Sequence, residues 1–282
     1  MRRSAAVAFL SPAMLVIGLF TVVPIALTFW ISLHEWSMYT PLGDMAWRGF
    51  GNYADLAADD GFSTALGNTA LYVALVVVVT LPLSVALGML LYFPKAAGKG
   101  VARAVLFSTY VVPTVAIAIV WGGLYAPSYG PLSVLFGGAT WLSAPGTALV
   151  SLVIFHVWQM TGYYTVLVIA GLTQIPGDLY EAARIDGAGF WRQTAHVTLP
   201  LLRRTTVFIG LVSIINAIQV FDPVYILTQG GPAESTAVLS FAIQRSAFQH
   251  GLAGQASAMA FTLLVLLVAL GGVFLAAVRR RS

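Results

Sequence analysis

Six stretches of this sequence are apolar for long enough to cross a lipid hydrocarbon core of about 30 Å at about 1.5 Å per helical residue. They lie near residues 6–33, 65–93, 104–125, 147–175, 206–227 and 253–278. The chain has 282 residues, of which 59% are hydrophobic and 9% charged, with a mean hydropathy of +0.88. A soluble domain needs about a quarter of its residues charged to cover its surface. Apolar surface on this scale has to be covered by lipid. The fold class is therefore all-α: a polytopic membrane protein with about six transmembrane helices. Pro12, Pro24, Pro82 and Pro113 fall inside spans, where a bundle tolerates them if neighbours satisfy the freed carbonyls.

The net charge of +4 is segregated by loop and is not gathered into a nucleic-acid patch. Arg2 and Arg3 precede the first span, and Lys95, Lys99 and Arg103 lie between the second and third. Arg184, Arg192, Arg203 and Arg204 lie between the fourth and fifth, and Arg279, Arg280 and Arg281 close the sequence. With an even number of spans these all fall on one side. The opposite side keeps Arg48 and Arg245 beside Glu35, Asp44, Asp55, Asp59, Asp60 and Glu234. By the positive-inside rule both termini are expected in the cytoplasm. The first apolar run is longer than a signal core of roughly 7–15 residues, so it reads as an uncleaved helix. No cysteine occurs, which excludes disulfides and thiolate chemistry. No internal repeat is evident, and residues 1–282 read as a single transmembrane domain with a cytoplasmic loop at 176–205.

That loop carries the most structured signal. Pro176-Gly177 breaks the incoming helix, and Asp178 is placed to cap a new one with Glu181 in capping-box register. The short helix is expected to end at Gly187, and a second to run from about Phe190 to Val197 and stop before Pro200. Two amphipathic helices meeting at a glycine make a compact knob. Ala182 and Ala183 leave it a shallow surface, framed by Glu181 and Arg184, which suits a groove on another protein. The same residues also fit an ordinary helix lying at the bilayer interface.

Glu181-Ala182-Ala183, Gly187, Val197 and Leu199-Pro200 resemble the EAA loop of bacterial ATP-binding-cassette (ABC) importer permeases. The resemblance implies a coupling helix that docks on an ATP-hydrolysing subunit, with Glu181, Ala182, Ala183, Arg184, Asp186 and Gly187 at the contact. A second segment, Phe221-Asp-Pro-Val-Tyr-Ile-Leu-Thr-Gln-Gly-Gly-Pro232, is similar to carbohydrate-importer permeases of the maltose and glycerol-3-phosphate type. Residues 251–264 resemble the start of the last helix there. For partners the resemblance implies a second homologous permease, two ABC ATPase subunits and an extracytoplasmic solute-binding protein. It also implies a bacterial or archaeal cell membrane, contact with lipid and no nucleic acid.

No cofactor is expected in this chain, since ATP and Mg²⁺ would be bound by the partner ATPase. No G-x-x-x-x-G-K-[ST] occurs; Gly98-Lys99-Gly100 lacks the hydroxyl that would hold Mg²⁺. Gly187-Ala-Gly189 lacks the third glycine of a dinucleotide fingerprint. His34-Glu35 opens like a zinc-protease motif, but Met38 stands where its second histidine would be. No catalytic constellation and no metal site is read.

Candidates for a substrate path are Trp158, Gln159, Tyr163 and Tyr164 in the fourth span, with Asn216, Gln219 and Asp222 in the fifth. His156, Gln159 and Tyr163 share a helical face, and Asn216, Gln219 and Asp222 recur at three-residue intervals. Amides with aromatic rings suit a sugar, which presents hydroxyls and a flat apolar face. The competing reading is glue between helices, at about 0.6–2 kcal/mol per bond. Asp222, near the outer end, could instead cap or gate. His156 has no acidic partner in its span and reads as a packing residue.

Two other functions were open. An ion-gradient transporter wants a buried carboxylate near the midplane, and the first four spans have none. A non-transporting scaffold leaves the loop at 176–205 unexplained. Sugars, oligosaccharides, polyols and glycerol phosphates all remain open as solutes.

Overall fold

The structure is a computed structural model that describes residues 2–93 and 98–279. Lys95, Arg280 and Arg281 lie outside the described residues. In chain order the helices are α1 (Arg2–Ile17), α2 (Val23–Ser32), α3 (Gly51–Ala58), α4 (Asp60–Tyr92), α5 (Lys99–Val111), α6 (Thr114–Leu124) and α7 (Pro131–Leu135). They continue as α8 (Pro145–Leu172), α9 (Gly177–Ile185), α10 (Phe190–Gln193), α11 (Leu199–Ile218), α12 (Asp222–Leu227), α13 (Leu239–Gln244) and α14 (Ala253–Arg279). Two-residue strands β1 (His34–Glu35) and β2 (Ala46–Trp47) pair antiparallel, His34 opposite Trp47. Among the described residues Phe9–Ser32, Asp60–Tyr92, Pro145–Leu172, Phe190–Leu227 and Ala253–Gly272 are long and apolar enough to cross a membrane. Taken together, the bent pair α5 and α6 is long and apolar enough to count as a sixth.

Prolines account for where the helices depart from the expected straight spans. The third stretch is bent by 99° between α5 and α6. Val112 there is extended, with ψ 138°, because the ring of Pro113 disfavours a helical residue before it. The first and fifth stretches meet their prolines differently. Each widens into a π turn just ahead of the proline, at Gly18–Val22 before Pro24 and at Thr194–Thr198 before Pro200. A proline supplies no N–H and its ring presses on the carbonyl four residues back, and a wider turn relieves both. The expected stop before Pro200 is thus corrected: the helical path runs through it. The fifth stretch breaks later, between α11 and α12.

The packing divides the chain into two compact units, the residues up to Leu66 with Leu239–Leu270, and Gly67–Val238 with those from Gly271 onward. In the first unit, Leu56, Ala65, Leu239, Ala242, Ala258 and Met259 form the core. Buried Asn52 donates from Nδ2 to the carbonyls of Ser32 (2.7 Å) and His34 (2.9 Å), which ties α3 to the end of α2. Asp59 Oδ1 accepts from the N–H of Gly61 at 2.7 Å and so caps α4. From residue 9 to residue 31 no side chain is buried within the chain.

The second unit is organised on α8, which is buried along most of its length. A Cβ on Gly162 would stand 1.7 Å from the carbonyl oxygen of Leu106, so only glycine lets α5 lie this close to α8. Val85, Tyr164, Val168, Leu172, Ile175, Tyr180, Leu202 and Ile209 form one core, drawn from α4, α8, α9 and α11. Lipid tails are as apolar as these side chains, so close packing and hydrogen bonds hold the helices together more than removal from water does. Lys99 Nζ and Arg103 Nη2 donate to the carbonyls of Tyr92 (3.0 Å) and Leu91 (2.9 Å) at the end of α4. Cations there also meet the negative end of the helix dipole.

Candidate functional site

The first candidate region is α9 and the turn that follows it. Pro176 occupies the cap position of α9 and no side chain caps the helix. Asp178 therefore sits inside the first turn, where it favours the helix through the dipole, and the expected capping box does not form. The C-terminal end follows the expectation closely. Gly187 has φ +74°, its N–H donates to the Arg184 carbonyl (3.0 Å), and Ala188 donates to that of Ala183 (2.9 Å). This pair of bonds is a Schellman motif, and it needs a residue at ease with positive φ. Glu181, Ala182, Arg184 and Asp186 are exposed, Ala183 is half-buried, and Ile185 is 87% exposed. Tyr180 alone in α9 is buried. The helix thus presents a mixed apolar and charged face and is rooted by one aromatic ring.

The second region is a recess of about 130 Å³ between α6, α8 and the α11–α12 junction. Thr114, His156 and Gln159 border one side of it, and Asn216, Gln219 and Asp222 the other. Gln159 is buried and donates from Nε2 to Thr114 Oγ1 at 3.0 Å. Asn216 donates from Nδ2 to the hydroxyl of the fully buried Tyr164 at 3.1 Å. Gln219 ends α11, and Asp222 opens α12, so the even spacing of these residues is interrupted by a helix break. His156 Nδ1 lies 3.1 Å from the Tyr72 hydroxyl, while its Nε2 is buried with no protein partner among the described residues.

The other candidates stand apart from the recess. Tyr164 acts on it through Asn216. Tyr163 stacks on Tyr110 at 4.4 Å between ring centroids, and half-exposed Trp158 packs near Trp121 at 5.3 Å. Thr114 was not singled out from the sequence, where it carries no signal beyond its place directly after Pro113, at the start of α6. Tyr180 was passed over too. Its only sequence signal is apolar spacing with Ala183 on the inner face of α9. No group of three or more His, Asp or Glu able to hold a metal ion occurs among the described residues.

The sequence pattern of the family described as "Binding-protein-dependent transport system inner membrane component" matches residues 81–282, which takes in both regions. The chain belongs to this family. Among its relatives, the trehalose/maltose transport system permease protein MalF of Thermococcus litoralis is 34% identical over 94% of this chain and 90% of its own length. The diacetylchitobiose uptake system permease protein NgcF of Streptomyces coelicolor is 33% identical, over 91% of this chain and 77% of its own. The fold of this inner-membrane component matches a chain in the crystal structure of a bacterial ABC transporter that imports alginate, with a TM-score of 0.84. That match covers 99% of this chain and 96% of the other at 19% identity.

Proposed function

We propose that this chain is the permease subunit of an ABC importer for a carbohydrate or a related polyol or glycerol-phosphate solute. Membership of a binding-protein-dependent transport family supports the transport role. Relatives named for trehalose, maltose and diacetylchitobiose support the solute class. In this reading the whole chain acts as one permease domain with a second, homologous permease, two ATPase subunits and an extracytoplasmic binding protein. ATP and Mg²⁺ belong to the ATPases, and this chain hydrolyses nothing. The N- and C-termini and the loop bearing Arg184 are cytoplasmic.

The observation that carries the coupling half is α9, a helix with Glu181, Ala182, Arg184 and Ile185 all exposed around one buried root. An apolar side chain as open as Ile185, ringed by charges, suits a desolvated pocket on a partner. Solute recognition falls to the recess, where Gln159, Asn216 and Gln219 offer amide donors and acceptors. A buried ring nitrogen without a partner, such as His156 Nε2, calls for a hydrogen bond from a solute hydroxyl or water. ATP-driven closure of the ATPase pair would move α9, and the path would open to the outside.

Co-expression with the cognate ATPase and purification through a tag on this chain tests the reading. The ATPase is expected to co-purify with the parent chain, which alone hydrolyses no ATP. Glu181→Lys is expected to abolish uptake while the protein remains inserted. Normal uptake with normal ATPase association in that variant would sink the assignment of α9.

A further inference from the structure

The hydroxyl of Tyr180 lies 3.2 Å from Thr198 Oγ1, and both residues are buried. The Tyr180 ring meets Phe93 edge-on at 5.5 Å between centroids and packs in the core that holds Leu172, Tyr164 and Leu202. Thr198 is the last residue of the π turn, and its Oγ1 also lies 3.5 Å from the Gln193 carbonyl at the head of that turn. Directly after it begins α11, the helix that carries Asn216 to the recess. The only buried residue of the exposed helix α9 is thus bonded to the π turn that leads into α11.

We infer that Tyr180 is a positioning residue that passes displacement of α9 to α11 through Thr198. The inference rests on the reading of α9 as the surface that meets the ATPase. A π turn holds one residue more than the α turn it replaces, so a change in its register rotates the segments on either side against each other. Pro200 has no N–H with which to restore α-helical bonding at this place. The Tyr180–Thr198 bond then selects the register. The motion reaches the recess by a continuous covalent and packed route, and the bistable element is the turn itself.

The test uses the assembled transporter in lipid vesicles. The probe is a maleimide that labels the thiol introduced by Gln219→Cys into this cysteine-free chain. Addition of ATP and vanadate is expected to change the labelling rate when Tyr180 and Thr198 are intact. Tyr180→Phe and Thr198→Val, each added to that background, should shrink the response about 2- to 10-fold, the scale of one lost hydrogen bond. Thr198→Ser should keep it. Subunit ratio and thermal midpoint are read alongside, since a merely structural role would move those and leave the ATP response of the assembled fraction alone. A response of full size in both Tyr180→Phe and Thr198→Val, or none with the native pair, overturns the inference. Loss of the ATPase from the parent assembly instead overturns the reading of α9 itself. If Tyr180→Phe alone sheds the ATPase, the Thr198 pair decides: equal responses in Val and Ser overturn the proposal.

Discussion

Asn216 shows how one residue can be both held and available. Its Nδ2 spends one hydrogen on the Tyr164 hydroxyl, and that bond fixes which way the amide faces at the edge of the recess. An amide has a second N–H and a carbonyl oxygen to offer. Gln159 is placed in the same manner by Thr114. These bonds agree with the glue reading as far as they go, yet each leaves acceptor and donor capacity beside a recess. If that capacity serves a solute, Asn216→Ala and Gln219→Ala should each weaken uptake about 2- to 10-fold, or change solute preference, with assembled complex undiminished. That corresponds to about 0.5–1.5 kcal/mol per hydrogen bond. Uptake normalised to assembled complex is the measurement. Unchanged preference with a loss of complex yield would return these residues to a structural role.

At the scale of elements, much of the architecture is legible as hydropathy, because a helix must satisfy its own backbone in lipid and therefore needs a long apolar run. Five of the six expected stretches reappear as apolar helical spans, and the third as the bent pair α5 and α6. The ends of α9 show what is legible and what is not. Gly187 could be placed because a Schellman turn demands a residue at ease with positive φ. Asp178 could not, because the choice between a cap at Pro176 and one at Asp178 depends on how the chain leaves α8. Proline is ambiguous for a similar reason. Its ring forbids regular α bonding but does not say whether the helix bends, as at Pro113, or widens, as before Pro24 and Pro200. Neighbouring helices decide, and their contacts are not periodic in sequence. The recess was half legible: polar residues could be found by type, but Thr114 meets Gln159 where α6 turns away from α5, which itself lies against α8. Gly162 permits that approach. Gly162→Ala should therefore cost about 1–3 kcal/mol or more through overpacking against the Leu106 carbonyl. A lowered thermal midpoint would register it, whereas Gly146→Ala, with open space around its Cβ position, should leave the midpoint unchanged.

For the whole molecule the governing quantity is which way it sits in the membrane. Basic residues concentrate in alternate loops, and within about 15–20 residues of a span they set orientation far more than acidic residues do. Lys99 and Arg103, at the start of α5, close the carbonyl end of α4 and so gather two cations on the side expected to be cytoplasmic. By the positive-inside rule the loop bearing Arg184 is expected in the cytoplasm as well, where α9 can reach an ATPase, and the loop bearing Asp44 outside. A chain without native cysteine makes sidedness simple to read. Arg184 and Asp44 are both exposed, and neither caps a helix as Asp59 does. In intact cells an impermeant maleimide should label Asp44→Cys and leave Arg184→Cys untouched until the membrane is opened. Labelling of Arg184→Cys in sealed cells would invert the orientation and put α9 out of reach of any cytoplasmic ATPase. The coupling reading would fall with it, however well the loop is formed.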